Sequence, residues 1–348
     1  MTFEPMTLTT RTVNDLSPNY RRISFSSPQL DQLEPHHPFD QRIKFIFPPS
    51  SGKLPKMKTQ DWYQAWLGLD ETERGWMRTY SIRAIEKNAG HVVLTVDFVL
   101  HGKAVGEESG PASRWAQDAQ VGDEVICVFP TAGAQSGGIE FAPADAEQIL
   151  LVGDETAAPA IARILEDLAA GDDTQQATRG AALIEVPTAD DELHINSPEG
   201  VQVHWLPRNG GDYGSSLLPA LEEIVAPSES GTVVALDEIE ETAEAPLVWE
   251  TPLYSASGAQ LDRASSDEQV TSADPDAQAG AETSDITPQA EEEPGVKTTR
   301  STARTFYWIA GESGVVKQAR RYLVKECGVK RSDVAFMGYW RIGVAMRG

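Results

Sequence analysis

Gln148-Ile149-Leu150-Leu151-Val152-Gly153-Asp154-Glu155-Thr156 is where the pattern of this chain changes. The unbroken apolar run reads as a parallel strand buried on both faces, and the glycine with its polar neighbours reads as a turn into a helix. That helix is marked by Ile161, Ile164, Leu165 and Leu168 on one face and ends at Gly171. Further strands are predicted over 181–186, 201–206 and 306–310. The last leads into a helix capped by Ser313, with Val315, Val316, Ala319, Tyr322 and Leu323 on its apolar face and Gly328 closing it. Strands alternating with helices predict an open parallel sheet.

Upstream of this stretch the pattern is different. Short strands are predicted over 22–26, 42–47 (stopped by Pro48-Pro49), 79–85, 91–100 and 124–129, separated by turn residues such as Lys87-Asn88-Ala89-Gly90 and Gly122-Asp123. One helix, over 113–120, starts at Ser113. Short strands with turns between them point to a small antiparallel barrel. The expected fold class is therefore a β-barrel domain, residues 1–145, followed by an α/β domain, residues 146–348. Within the second, residues 250–303 are expected to be a largely disordered acidic insertion. Residues 255–296 hold ten acids, one base and no aromatic residue, too little apolar surface to offset the entropy of ordering them.

Composition removes several function classes. A formal net charge of -24 over 348 residues argues against nucleic acid and anionic membrane surfaces as partners. No apolar run approaches the roughly 20 residues of a membrane helix, and residues 1–12 lack the apolar core of a secretory signal. Two cysteines, Cys127 and Cys327, without a CxxC pair exclude cysteine-ligated zinc and iron–sulfur clusters. The six histidines show no metal-ligand spacing. A soluble, cytoplasmic, metal-free monomer is expected.

Two motifs carry chemistry. In Arg78-Thr79-Tyr80-Ser81-Ile82-Arg83, a guanidinium, an aromatic ring and a hydroxyl are expected on one strand face, supplying forked donors, a stacking surface and a hydrogen bond. In Gly110-Pro111-Ala112-Ser113-Arg114-Trp115, a helix start offers backbone N–H groups to a pyrophosphate. Between them stands Asp97-Phe98-Val99-Leu100-His101.

Together these residues resemble the siderophore-interacting protein family, a branch of the ferredoxin-reductase-like flavoproteins. The family's R-x-Y-[ST] stands as Arg78, Tyr80 and Ser81. D-F-V-x-H-G stands as Asp97, Phe98, Val99, His101 and Gly102, and G-P-A-S-x-W as Gly110 to Ser113 and Trp115. G-D-E-T-A-x-P stands as Gly153 to Ala157 and Pro159. Ala310-Gly311-Glu312, Gly338-Tyr339-Trp340 and Lys44 before Phe47-Pro48 also match, so the resemblance covers roughly 8–225 and 304–347. Residues 228–303 depart from it.

The resemblance implies an FAD-dependent reductase of ferric siderophores, with NADH or NADPH as donor. It implies that Arg78, Thr79, Tyr80 and Ser81 bind the isoalloxazine side, that Asp97 to Val99 lie along the flavin, and that His101 meets the ribityl–phosphate region. Gly110, Pro111, Ala112, Ser113 and Trp115 would hold the diphosphate side. Gly153, Asp154, Glu155, Thr156 and Ala158 would form the nucleotide approach. The two acids there would repel phosphate, so their side chains are expected to bond backbone or ribose hydroxyls. An anionic ferric siderophore requires a basic pocket, for which Lys44 and Arg341 are the first candidates and Lys317, Arg320 and Arg321 the next. Trp340 is expected either near the cofactors or in the core. Because the cofactor carries the electron chemistry, no catalytic side chain is expected. The alternatives are an FAD-dependent oxidoreductase with a protein or quinone acceptor and a non-catalytic siderophore-binding protein.

Overall fold

The computed structural model describes residues 3–34, 36–58, 61–100, 110–130, 138–227, 247–252 and 304–344. Seven strands come first: β1 (Phe3–Asp15), β2 (Tyr20–Ser26), β3 (Arg42–Phe47), β4 (Trp76–Ser81), β5 (Ala84–Asn88), β6 (His91–Val99) and β7 (Glu124–Pro130). They pair antiparallel in the order β4-β3-β7-β1-β2-β6-β5, a half-barrel. Leu8, Ile23, Phe25, Phe45, Phe47, Phe98 and Phe129 fill its interior. Two short helices, α1 (Trp62–Leu67) and α2 (Glu71–Arg74), lie between β3 and β4. A third, α3 (Pro111–Asp118), packs on β3, β4 and β6. The predicted turn before His91 is a two-residue hairpin in which Ala89 and Gly90 both take positive φ, 49° and 89°, as tight β-hairpins demand.

β1 escaped the sequence reading. Its run of Thr7, Thr9, Thr10 and Thr12 blurs the apolar alternation, and the strand is held by partners on both sides, β7 along its first half and β2 along its second. The strand expected over 79–85 breaks at Ile82-Arg83 into β4 and β5. The helix expected to start at Ser113 starts at Pro111, with Gly110 as its cap.

The second half supplies β8 (Gln148–Gly153), β9 (Arg179–Val186), β10 (Val201–Pro207), β11 (Trp249–Glu250), β12 (Thr305–Glu312) and β13 (Val334–Trp340). Their order is β10-β9-β8-β12-β13-β11, parallel except for the edge strand β11. Helices α4 (Ala158–Ala169), α5 (Asp173–Gln176), α6 (Leu217–Ile224) and α7 (Ser313–Arg321) complete the domain. The opening stretch behaves as read: Ile149 and Leu151 enter one apolar cluster with α4, while Leu150 and Val152 enter another with α6 and α7. The β-barrel plus α/β fold class is thus the observed one. The chain builds outward from β8 to β10, then returns to β8's other side with β12. This reversal puts a crevice at the carboxyl ends of β8 and β12, where such sheets hold ligands.

Two details differ from expectation. Glu312, not Ser313, caps α7, accepting from Gly314 N at 2.6 Å and Val315 N at 3.0 Å. Residues 253–303 of the acidic insertion lie outside the described residues, but Glu250 is no part of a loose loop. It pairs with Phe336 in the sheet, and its buried carboxylate binds Arg320 (2.7 Å) and Arg331.

The half-barrel and the parallel sheet share one apolar cluster, in which Tyr20 and Phe141 meet Ile149, Trp308 and α4. Asp40 fastens them: its carboxylate accepts from Glu140 N (3.0 Å), Phe141 N (3.0 Å) and Trp308 Nε1 (2.9 Å). Complete burial pushes the Asp40 carboxyl up to about 6, against the pull of those donors. A raised acid binds its proton more tightly in the folded chain than in the unfolded one. Its contribution to stability is therefore full below about pH 4 and lost as pH rises through 6. Relative to Asp40→Asn, the wild type should lose roughly 3 kcal/mol between pH 3 and pH 7, about two pKa units at 1.4 kcal/mol each. Urea denaturation of both proteins across that range checks it; a pH-independent difference contradicts it.

Candidate functional site

β4 carries the first motif, and strand alternation divides it. Arg78 and Tyr80 stand opposite Phe45 and Ile43, on the face of the barrel core; Thr79 and Ser81 stand opposite Lys44 and Arg42, on the other face. The expectation that Arg78, Tyr80 and Ser81 share a face is corrected, because Ser81 is an odd number of residues from Arg78. The Tyr80 ring packs 4.6 Å from Phe98 and 5.9 Å from Phe45. The half-buried Arg78 guanidinium donates to Met77 O at 2.6 Å and pairs with no carboxylate among the described residues. Burial lowers its pKa, with a partial offset from Tyr80. A desolvated cation without a counter-ion is costly to hold and calls for a ligand with anionic or carbonyl oxygens.

In β6, Asp97 is buried and taken by two arginines. Arg22 grips it bidentately, with both bonds at 2.7 Å, and Arg83 Nε approaches at 3.4 Å. Phe98 lies wholly inside the barrel and Val99 packs toward the parallel sheet. The side chains of Asp97 and Phe98 are thus committed to the protein. His101 lies outside the described residues.

At the start of α3, Gly110 caps the helix without a side-chain bond, Pro111 brings no N–H, and intrahelical bonding begins with Arg114 N to Gly110 O (3.0 Å). Among the described residues, a Cβ placed on Gly110 would meet nothing within 4 Å. Ala112 and Ser113 are buried beneath it. The Trp115 ring closes the barrel core, 5.1 Å from Phe47 and stacked on Phe25 at 6.4 Å. Its indole supports the helix from below.

At the switch point, Gly153 allows a close approach: a Cβ there would sit 2.4 Å from Ala157 Cβ and 2.9 Å from Ala310 O. Asp154 ties three strand ends together. One oxygen accepts from Thr156 N (2.9 Å), and the other from Glu312 N (2.7 Å) and Trp340 Nε1 (2.9 Å). Burial, reinforced by Glu155, pushes the Asp154 carboxyl up to about 6. Glu155 is gripped by Arg208 at 2.7 and 3.0 Å, and its carbonyl accepts from the Tyr20 hydroxyl at 2.9 Å. Arg208 also reaches Glu185 at 3.3 Å and lies 4.0 Å over the Tyr213 ring. Asp154 therefore bonds backbone, as expected, but Glu155 bonds a side chain that sequence reading passed over. The available signal was a base at a strand's carboxyl end, just before the Asn209-Gly210 turn. Thr156 and Ala158 lead into α4. These carboxylates form a polar rim held by hydrogen bonds and ion pairs at the carboxyl ends of β8 and β12.

The candidate bases separate. Lys44 reaches solvent beside Thr79 (Nζ to Oγ1, 3.3 Å), and the surrounding protein and Arg42 lower its pKa. Arg341 lies on the turn after β13, next to Ile342, whose N–H donates to Glu312. Arg320 is removed from the candidates, since it is buried and neutralised by Glu250. Lys317 and Arg321 ride on α7.

Residues 146–343 match the family model "Siderophore-interacting protein" and residues 9–134 match "Siderophore-interacting FAD-binding domain". An uncharacterized protein of Mycobacterium tuberculosis is 33% identical over 198 residues, 56% of this chain and 62% of that relative. The ferric vibriobactin reductase ViuB of Vibrio cholerae is 28% identical over 158 residues, 45% of this chain and 51% of that one. The chain thus spans between half and two thirds of these relatives' lengths. A solved siderophore utilization protein from T. fusca superimposes with a TM-score of 0.62 at 23% identity, covering 99% of this chain and 95% of that one. It shares the fold.

Proposed function

Because the chain belongs to the siderophore-interacting protein family, with that family's FAD-binding domain over residues 9–134, we propose that it is an NAD(P)H-dependent flavin reductase of ferric siderophores. The observation that carries this reading is the half-buried Arg78 guanidinium, which pairs with no carboxylate among the described residues and stands on β4, a strand that α3 packs against. Both features fit an FAD diphosphate and ring edge. Arg78 would supply forked donors, Ala112 and Ser113 their backbone N–H groups, and Tyr80 the exposed part of its ring. Bound there, FAD supplies two-electron uptake from NADH or NADPH and one-electron delivery to iron. Ferrous ion is held less tightly than ferric ion by hard oxygen donors, so reduction frees it. The nucleotide would approach the carboxyl ends of β8 and β12, where Gly153 keeps the backbone low and Asp154 holds the strand ends in place. Lys44 and Arg341 would attract the anionic ferric complex, which the overall charge of -24 otherwise repels.

Steady-state capture of Fe(II) tests the reading. The FAD-loaded protein is supplied with NADH or NADPH and with catecholate, hydroxamate or citrate-type ferric complexes, alongside a quinone and a cytochrome. Faster turnover of at least one siderophore class supports it. Preference for the quinone or cytochrome would assign the protein a different acceptor.

A further inference from the structure

A chain of ion pairs crosses from the flavin-motif strands to the C-terminal turn of α4. Asp97 of β6 is held by Arg22 and approached by Arg83 Nε at 3.4 Å. Arg83 is buried between β4 and β5, and its two terminal nitrogens grip Glu166 of α4 bidentately at 2.6 and 2.5 Å. Glu166 is flanked by Arg163 at 3.2 Å, and Arg163 also binds Asp167 at 2.6 Å. The buried Asp167 then accepts from Phe39 N at 2.7 Å, with His37 Nδ1 at 2.8 Å. Two adjacent acids of one helix are thus fastened to two separate pieces of the half-barrel.

The placement of these acids is unfavourable for the helix itself. They lie in the last turn of α4, which has no base there, and negative charge at a helix C-terminus opposes the helix dipole. Bonds to the half-barrel account for their presence. At its other end α4 begins just after the Gly153–Thr156 turn, and its first residue, Ala158, lies about 12 Å from Glu166 along the helix axis.

We propose that Glu166 is a positioning residue: through Arg83 it sets the α/β domain, and the nucleotide turn at the head of α4, in register with the flavin-motif strands. The inference rests on the function proposed above. It predicts that Glu166, which belongs to neither the flavin nor the nucleotide candidates, controls electron entry and not electron exit.

The test uses full-length Glu166→Gln and Glu166→Asp, with the two half-reactions followed separately under anaerobic stopped flow. In Glu166→Gln, bleaching of the flavin by NADH or NADPH should slow roughly tenfold, because small misplacements of reacting groups cost rate steeply. FAD affinity, and reoxidation of dithionite-reduced protein by ferric citrate, should be unchanged. Glu166→Asp keeps the charge and should recover part of the rate. In the flavin-free protein, amide exchange over residues 156–162 should speed up in Glu166→Gln. The proposal is overturned if flavin reduction keeps its wild-type rate, if both half-reactions slow equally, or if exchange over 156–162 is unaltered. Failure of both NADH and NADPH to bleach even the wild-type flavin would instead refute the donor in the proposed function, leaving the exchange measurement to decide the role of Glu166.

Discussion

Arg208→Leu is expected to lower the stability of the protein by about 3–5 kcal/mol, the usual effect of stripping a buried carboxylate of its cation. Arg208, Glu155 and Glu185 are almost fully enclosed, with side-chain exposures of 6%, 1% and 0%. Glu185 keeps other partners, because it accepts from Gly214 N (2.8 Å), Ser216 N (3.0 Å) and Leu217 N (3.0 Å) at the head of α6. Among the described residues Glu155 has no such set of backbone donors, so most of the loss should trace to it. Denaturant unfolding of the single variant and of Arg208→Leu with Glu155→Gln measures this. The second substitution removes the stranded charge and should restore a large part of the loss. Equal instability of the two variants would show that the packing of Arg208 over Tyr213, and not the ion pair, is what matters.

Arg78→Ala should weaken FAD binding by about 10- to 100-fold, the equivalent of one or two charge-assisted hydrogen bonds at about 1.5–3 kcal/mol. The same change should cost the flavin-free protein little, because among the described residues Arg78 has no ion pair and a single side-chain hydrogen bond, to the neighbouring carbonyl. Relief of a desolvated cation even favours the flavin-free variant. Flavin quenching titrations give the affinity, and thermal unfolding without FAD gives the control. Unaltered affinity would remove Arg78 from the site and, with it, the observation on which the functional reading leans most.

What could be read ahead of the structure was local. The unbroken run from Ile149 to Val152 announced a strand buried on both faces. Asn88-Ala89-Gly90 announced a hairpin, and Pro48-Pro49 marked the end of β3. Each signal lies within a few residues of the feature that it specifies. β1 and β13 were missed because their strand character comes from neighbours far along the chain: β1 sits between β2 and β7, and β13 between β12 and β11. The site divides in the same way. The motif residues were visible as types in order, but their partners were not. Arg22 for Asp97, Arg208 for Glu155, and Trp308 for Asp40 are separated by 75, 53 and 268 residues. No local period encodes such pairs. Through them the side chains of Asp97 and Glu155 act as fasteners within the protein. The misplacement of Ser81 was different in kind, since simple alternation along β4 already put it on the face opposite Arg78.

The central claim is that this chain carries FAD on its half-barrel and passes electrons from a nicotinamide nucleotide to siderophore-bound iron. An anaerobic visible spectrum of the FAD-reconstituted protein tests it most directly. NADH or NADPH should bleach the flavin bands, and one ferric siderophore, added next, should restore them as a ferrous chelator reports stoichiometric Fe(II). A protein that retains no flavin after reconstitution, or whose bleached flavin is indifferent to every ferric siderophore, would contradict the account.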